Sequence, residues 1–310
     1  MSASAADEAG LHRRLAHFNQ RRLRPGLVEP GWPAQLAQEY EMCVTEGCFV
    51  EDERRAATEA IGELPRGVDA FMQWFEGLQR SGPGQGDALF PWLERTALRE
   101  EMRWFLAQEA AGEAGFDDLV ALTQVRLPVR AKLEMARNYW DEMGRGHREG
   151  MHAGLLDRIV QALDLRPTIE TTVWESLALA NLMVALAANR RYAWHAVGAL
   201  GAIEMTAPGR VACVNAGLRR LGVPAAARSY FQLHAGLDVR HSEAWNREVI
   251  RPLVEADPGL AQPIAEGAWM RLRCGQRCFR RYRQHFGLPR ERALSPKAEA
   301  PQDQLEDSPA

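Results

Sequence analysis

The sequence predicts an all-α protein, and three observations predict it. Apolar residues recur at helical spacing along most of the chain, and no credible run of alternating strand residues appears. Prolines and glycines fall between the periodic segments, where they end one helix and begin the next. The chain has 310 residues, 46% hydrophobic and 25% charged, an ordinary make-up for a globular protein able to bury one large core.

Residues 9–23 read as a basic amphipathic helix, stopped near Pro25 and followed by the Pro30/Pro33 loop. Helices are then predicted over 34–46, 51–61 and 67–79, with Ser81-Gly-Pro-Gly-Gln-Gly-Asp87 as a flexible connection by composition. Longer core helices follow over about 92–113, 116–125, 128–143, 148–163, 171–187, 190–206, 209–221, 225–249 and 263–286. Pro208, Pro252 and Asp257-Pro258 are the expected breaks, because proline cannot continue an i→i−4 ladder. After Leu288 the chain buries too little to offset its ordering entropy. The expected organisation is a disordered start over 1–8, an N-terminal helical extension over 9–65, a bundle over 66–287 and a disordered tail over 288–310.

Charge and cysteine usage exclude several function classes. A net charge of −3 gives no global case for nucleic acid or a membrane surface. The densest basic run, Arg277-Cys-Phe-Arg-Arg-Tyr-Arg283, reads as the solvated face of a helix. The start, Met1-Ser-Ala-Ser-Ala-Ala-Asp-Glu, has no signal-peptide pattern, and the apolar stretch Trp174–Ala188 is too short to span a bilayer. Five cysteines do not make a disulfide framework; Cys43, Cys48, Cys274 and Cys278 read as packing thiols. A cytoplasmic location is expected.

The chemistry is concentrated in His234, Asp238 and His241, at i, i+4 and i+7 of an uninterrupted helical segment. At about 100° per residue, their side chains fall within roughly 60° of one another. Leu233, Leu237 and Val239 surround them and direct the stripe partly into the core. Burying two imidazoles and a carboxylate without partners costs several kcal/mol, so something inside must satisfy them. A borderline metal such as iron does so; the alternative is a metal-free helical module with a buried hydrogen-bond network.

Three further segments offer donors. Glu109 shares the inward face of Phe105 and Leu106, and Glu113 follows at i+4; read alone, each is a surface carboxylate. Glu142 and His152 flank a segment interrupted by Gly144 and Gly146. A continuous helix would put them about 80° out of register, and the glycines supply the kink that could join them. His147, between Arg145 and Arg148, reads as exposed. Glu204 is a lone charge near the end of an apolar, small-residue helix, and buried carboxylates are seldom unpaired. His195, on about the opposite side, reads as a core or edge histidine. Four carboxylates (Glu109, Glu142, Glu204, Asp238) and three imidazoles (His152, His234, His241) suit two irons better than one zinc.

In order and spacing, Glu109, Glu142-Met-Gly-Arg-Gly…His152, Glu204 and His234-x3-Asp238-x2-His241 resemble the heme-oxygenase-like diiron oxidases and oxygenases, the iron-containing redox enzyme family. The resemblance spans about residues 90–250. It implies a heme-oxygenase-like bundle that holds two iron ions and no heme, with O2 as cosubstrate. Glu142 resembles the extra carboxylate of the N-oxygenating branch, which implies N-oxygenation of a small amine or amino-acid-derived metabolite in biosynthesis. Other branches imply oxidative C–C cleavage, decarboxylation or desaturation of an amino or fatty acid. A small-molecule substrate, an external electron donor and a second copy of the chain are the candidate partners. Arg190, Arg191 and Tyr192, three to four turns before Glu204, are candidates for a substrate carboxylate as against a plain surface role.

Overall fold

A helix rich in alanine and glycine, α10 (Ala193–Arg220), is the rod around which the fold is built. A computed structural model of the protein describes residues 5–27, 30–113 and 115–289. In chain order the helices are α1 (Ala5–Leu23), α2 (Trp32–Ile61), α3 (Val68–Ser81), α4 (Leu89–Arg95), α5 (Arg99–Gly112), α6 (Phe116–Thr123) and α7 (Val129–Glu142). They continue with α8 (His152–Ala162), α9 (Trp174–Ala188), α10 (Ala193–Arg220), α11 (Ser229–Trp245), α12 (Arg251–Ala256) and α13 (Ala261–His285). Among the described residues no strand forms; one antiparallel bridge joins Met143 to Met151.

Small residues let α10 approach its neighbours closely. A Cβ on Gly198 would lie 1.9 Å from the Ile264 carbonyl oxygen, and one on Gly267 would lie 1.9 Å from that of His195, so α10 and α13 cross backbone to backbone. Gly201 makes room for the ring of Trp245, whose indole N–H donates to the Val197 carbonyl oxygen at 3.2 Å. Helix α9 is also buried nearly all round, as its apolar residues on every side require. These contacts leave a cavity lined by α4 through α11 and by α13.

Several boundaries differ from those the sequence predicts, each for a visible reason. Helix α10 runs through Pro208, because burial along both flanks outweighs the one hydrogen bond that proline cannot donate. Residues 34–46 and 51–61 are one helix, held inward by Phe49, Val50 and Ala57. The predicted 92–113 helix is two: Arg220 takes the carbonyls of Leu93, Glu94 and Ala97, and Glu101 caps the Leu98 N–H. The 225–249 helix ends its α stretch at Trp245 and passes through a π turn over Asn246–Ile250.

The termini and surface also differ in places. Ala5–Glu8, expected to be disordered, form the first turn of α1; the expected tail from 290 onward lies outside the described residues. The N-terminal helices pack on the bundle: Asn19 donates to Asn181 at 2.9 Å, and His12 stacks on Trp174. The segment 81–87 is packed, not flexible by contact, since buried Asp87 caps Leu89 and pairs with Arg283. Two members of the basic run are held in ion pairs: buried Arg283 pairs with Asp87, and half-buried Arg277 with Glu53. Cys274 and Cys278 are buried packing thiols, whereas Cys43 and Cys48 are exposed. No helix among the described residues is long and apolar enough to cross a membrane.

Candidate metal centre

Six of the predicted donors converge. Glu142, His152, Glu204, His234, Asp238 and His241 are each 2–6% exposed and come from four elements: the end of α7, the start of α8, α10 and the inner stripe of α11. On α11 the stripe is narrower than expected, because Leu237 is buried while Leu233 and Val239 face outward.

The local chain path explains how Glu142 meets His152. Glu142 is the last residue of α7 and His152 the first of α8. Between them the backbone reverses through two short 3-10 turns, closed by the Met143–Met151 bridge. Gly144 has φ +62°, and a Cβ there would sit 2.5 Å from the Gly150 carbonyl carbon. No side chain fits, so the crossing depends on glycine. Arg145 occupies the left-handed region at φ 54°, a strained conformation held by its 2.6 Å bond to Asp141. Glu142 Oε2 then lies 2.7 Å from His152 Nδ1 and 3.4 Å from His234 Nε2.

Each imidazole has one nitrogen held by an acceptor and the other turned into the cluster. His234 Nδ1 is 2.8 Å from the Tyr230 carbonyl oxygen, which can only accept, so Nε2 of the neutral ring presents its lone pair. His241 Nε2 donates to Asp141 Oδ2 at 3.2 Å, leaving Nδ1 at 3.6 Å from both Glu142 Oε1 and Glu204 Oε2. His152 Nε2 meets Glu113 Oε1 at 2.9 Å, leaving Nδ1 at 3.1 Å from His234 Nε2. Outer partners of this kind fix the tautomer and ring orientation of metal-binding histidines. Glu204 is itself held by Asn138 Nδ2 at 2.5 Å.

The donors form two three-residue groups that could hold a metal, Glu142–His152–His234 and Glu142–Asp238–His241, sharing Glu142. Their fit to iron rests on the donor chemistry and on two orphaned atoms: Asp238 Oδ1 and His241 Nδ1 are buried without a hydrogen-bond partner. Electrostatics point the same way. Burial and the neighbouring Glu204 charge push the Asp238 carboxyl far above the usual carboxylate range. Burial opposes protonation of His152, but Glu113 and Glu142 outweigh it and hold its pKa well above normal. His241 is likewise lifted, to about 9, by Glu204 and Asp141 against the effect of burial. Asp238, His152 and His241 thus favour their protonated forms, in a place where bound cations would supply the same positive charge.

Glu109 does not reach this cluster. One turn earlier on α5 than Glu113, it accepts from the Tyr282 hydroxyl at 2.9 Å. Glu113 instead crosses to His152 and also takes the backbone N–H groups of Gly115 and Phe116 at the start of α6. His147 is exposed, and His195 bonds Glu266 at 3.0 Å, away from the cluster. The candidate carboxylate receptors are engaged elsewhere. Arg190 donates to the carbonyls of Leu122, Thr123 and Val125, Arg191 is exposed, and the Tyr192 hydroxyl donates to Glu51.

Beside the cluster lies a cavity of about 180 Å³ whose wall includes Glu113, Glu142, His152, Glu204, His234 and Asp238. Leu156, Leu179, Met183 and Ile203 give it apolar sides, and Arg210 and Arg271 line it as well. Sequence reasoning missed Asp141, Asn138, Arg210 and Arg271. For Asp141 a signal existed, since it sits one residue before Glu142 and four before Arg145. No curated protein sequence matches this chain. The sequence profile of the iron-containing redox enzymes matches residues 103–276, more than half of the chain and all six converging donors, and the protein belongs to that family, of heme-oxygenase-like fold.

Proposed function

We propose that this iron-dependent oxidoreductase is an O2-dependent non-heme diiron oxygenase that N-oxygenates a small amine or amino-acid-derived metabolite. The observation that carries the reading is the sharing of Glu142 by two separate three-residue groups, each of which could hold one ion. Glu142, His152, His234, Asp238, His241 and Glu204 would hold the two irons, with Glu113 and Asp141 orienting His152 and His241. When bound, an iron pair supplies the electrons that activate O2.

The chain's own residues supply the rest. Anionic oxygens from Glu142, Glu204 and Asp238 favour the higher oxidation state of a bound metal. Phe116, Leu156, Leu179 and Met183 line the cavity and keep bulk water from the reacting atoms. Glu142, as the carboxylate the N-oxygenating branch carries, supports nitrogen as the atom oxidised.

Anaerobic loading with Fe(II), followed by iron analysis and Mössbauer spectroscopy, tests the first half. Two irons per chain are expected; a fully active protein with one or none sinks the reading. Exposure to 18O2 with candidate amines tests the second half by mass spectrometry, because N-oxygenation leaves label on nitrogen. Product formed by C–C cleavage or desaturation without that label would assign the protein to the alternative chemistry.

A further inference from the structure

The cavity has two ends of opposite character, and the second end has a job of its own. Arg210 of α10 lies six residues after Glu204, about 9 Å farther along the helix axis. Arg271 of α13 and Glu109 of α5 also line this region, with the Phe90 and Phe279 rings under the Arg210 guanidinium at 5.9 and 5.4 Å.

Several polar groups here hold one another. Ser176 Oγ and the Tyr282 hydroxyl are 2.8 Å apart, and Tyr282 donates to Glu109. Arg210 donates to Thr206 Oγ1 at 2.5 Å. Arg271 is different: its Nε and Nη1 are buried with no hydrogen-bond partner among the described residues. Burial and mutual repulsion of the two guanidiniums lower the pKa of Arg210 to about 9, and burial lowers that of Arg271. Two half-buried cations line this end of the cavity with one carboxylate, Glu109, so positive charge is in excess there. A charge withdrawn from water is costly, and a guanidinium lining a cavity is shaped to receive a carboxylate.

We infer that Arg210 and Arg271 form the recognition site for the carboxylate of the substrate, at the end of the cavity remote from the iron donors. The inference rests on the reading of this cavity as the substrate pocket. Its size sets the class: a cavity of about 150 Å³ holds a molecule the size of benzene, so about 180 Å³ takes a small acid and not a long-chain one. An acid bound this way keeps its carboxyl away from the oxidising end and offers its other end for reaction. N-oxygenation of an amino carboxylate fits that orientation; oxidative decarboxylation does not.

The test uses full-length, metal-free protein, so iron plays no part in the result. Hexanoate and hexanamide are titrated by calorimetry; they match in size and differ in charge. Hexanoate is expected to bind at least tenfold more tightly, and Arg271→Met to bring the two to parity. Equal affinities in the unchanged protein overturn the proposal, as does no binding of either compound. So does a preference that survives in both Arg271→Met and Arg210→Met. Ligand-free Arg271→Met should melt no lower than the parent, because it removes a half-buried charge with unpartnered N–H groups. A large loss of melting temperature would instead make Arg271 a structural residue. Failure of two-iron loading would sink the diiron reading while leaving this binding result intact.

Discussion

Glu142 and His152 stand ten residues apart in sequence and 2.7 Å apart in space, joined by a reversal that only glycine at 144 permits. The donor set therefore depends on backbone geometry outside the donors themselves. Gly144→Ala must adopt φ +62° and clear the Gly150 backbone, at a combined cost of at least about 2 kcal/mol. The variant should keep its helical circular dichroism and lose most of its bound iron. Full iron stoichiometry in Gly144→Ala would show that the hairpin does not set the site.

A second prediction separates two acids, Glu109 of α5 and Glu113 just past its end. Glu113 touches His152 at 2.9 Å, whereas Glu109 bonds Tyr282. Removing an outer partner of a metal-binding histidine lowers metal affinity by about 10- to 100-fold. Glu113→Ala should show that loss in an Fe(II) competition titration, and Glu109→Ala should not. The reverse order would return Glu109 to the place that the sequence pattern suggests for it.

That contrast marks where the sequence is readable. His234, Asp238 and His241 lie on one helix, so spacing alone brings them together. Glu204 stands out because it is a lone charge in an apolar rod. Glu109 and Glu113 share a face at i, i+4, and which turn lies opposite α8 is decided by how α5 crosses its neighbours. The same holds for Arg271, one of several arginines on α13: periodicity names the inward stripe, but not the residue left without a partner. Pro208 reads as a break, yet it is retained because the flanking contacts of α10 are made by residues on both sides of it.

Asp141 gives a third prediction. It holds His241 Nε2 at 3.2 Å and is itself held by Arg145 at 2.6 Å. Asp141→Ala frees the imidazole to rotate and to change tautomer. Metal affinity should fall by about tenfold or more, while Arg145→Ala should produce a smaller loss. Equal affinity for parent and Asp141→Ala, measured with Fe(II) under anaerobic conditions, would remove Asp141 from the site.

The last prediction concerns Glu266, which ties α13 to α2 and α10 and lies outside the metal centre. Its carboxylate bonds Thr58 at 2.8 Å, His195 at 3.0 Å and Gln262 at 2.9 Å. Burial raises its pKa, but these donors outweigh it and hold the group at about 2, below the ordinary 4.5. A carboxylate depressed in the folded state adds stability that is fully present above pH 4.5 and is lost as pH falls toward 2. Glu266→Gln should therefore be less stable than the parent by about 2 kcal/mol at pH 7, the scale of hydrogen bonds to a charged group. The gap should close through that acid window, because both proteins then present a neutral side chain. Urea unfolding at a series of pH values measures it, and a gap that stays constant from pH 7 down to pH 2.5 would mean that shape, not charge, gives Glu266 its role.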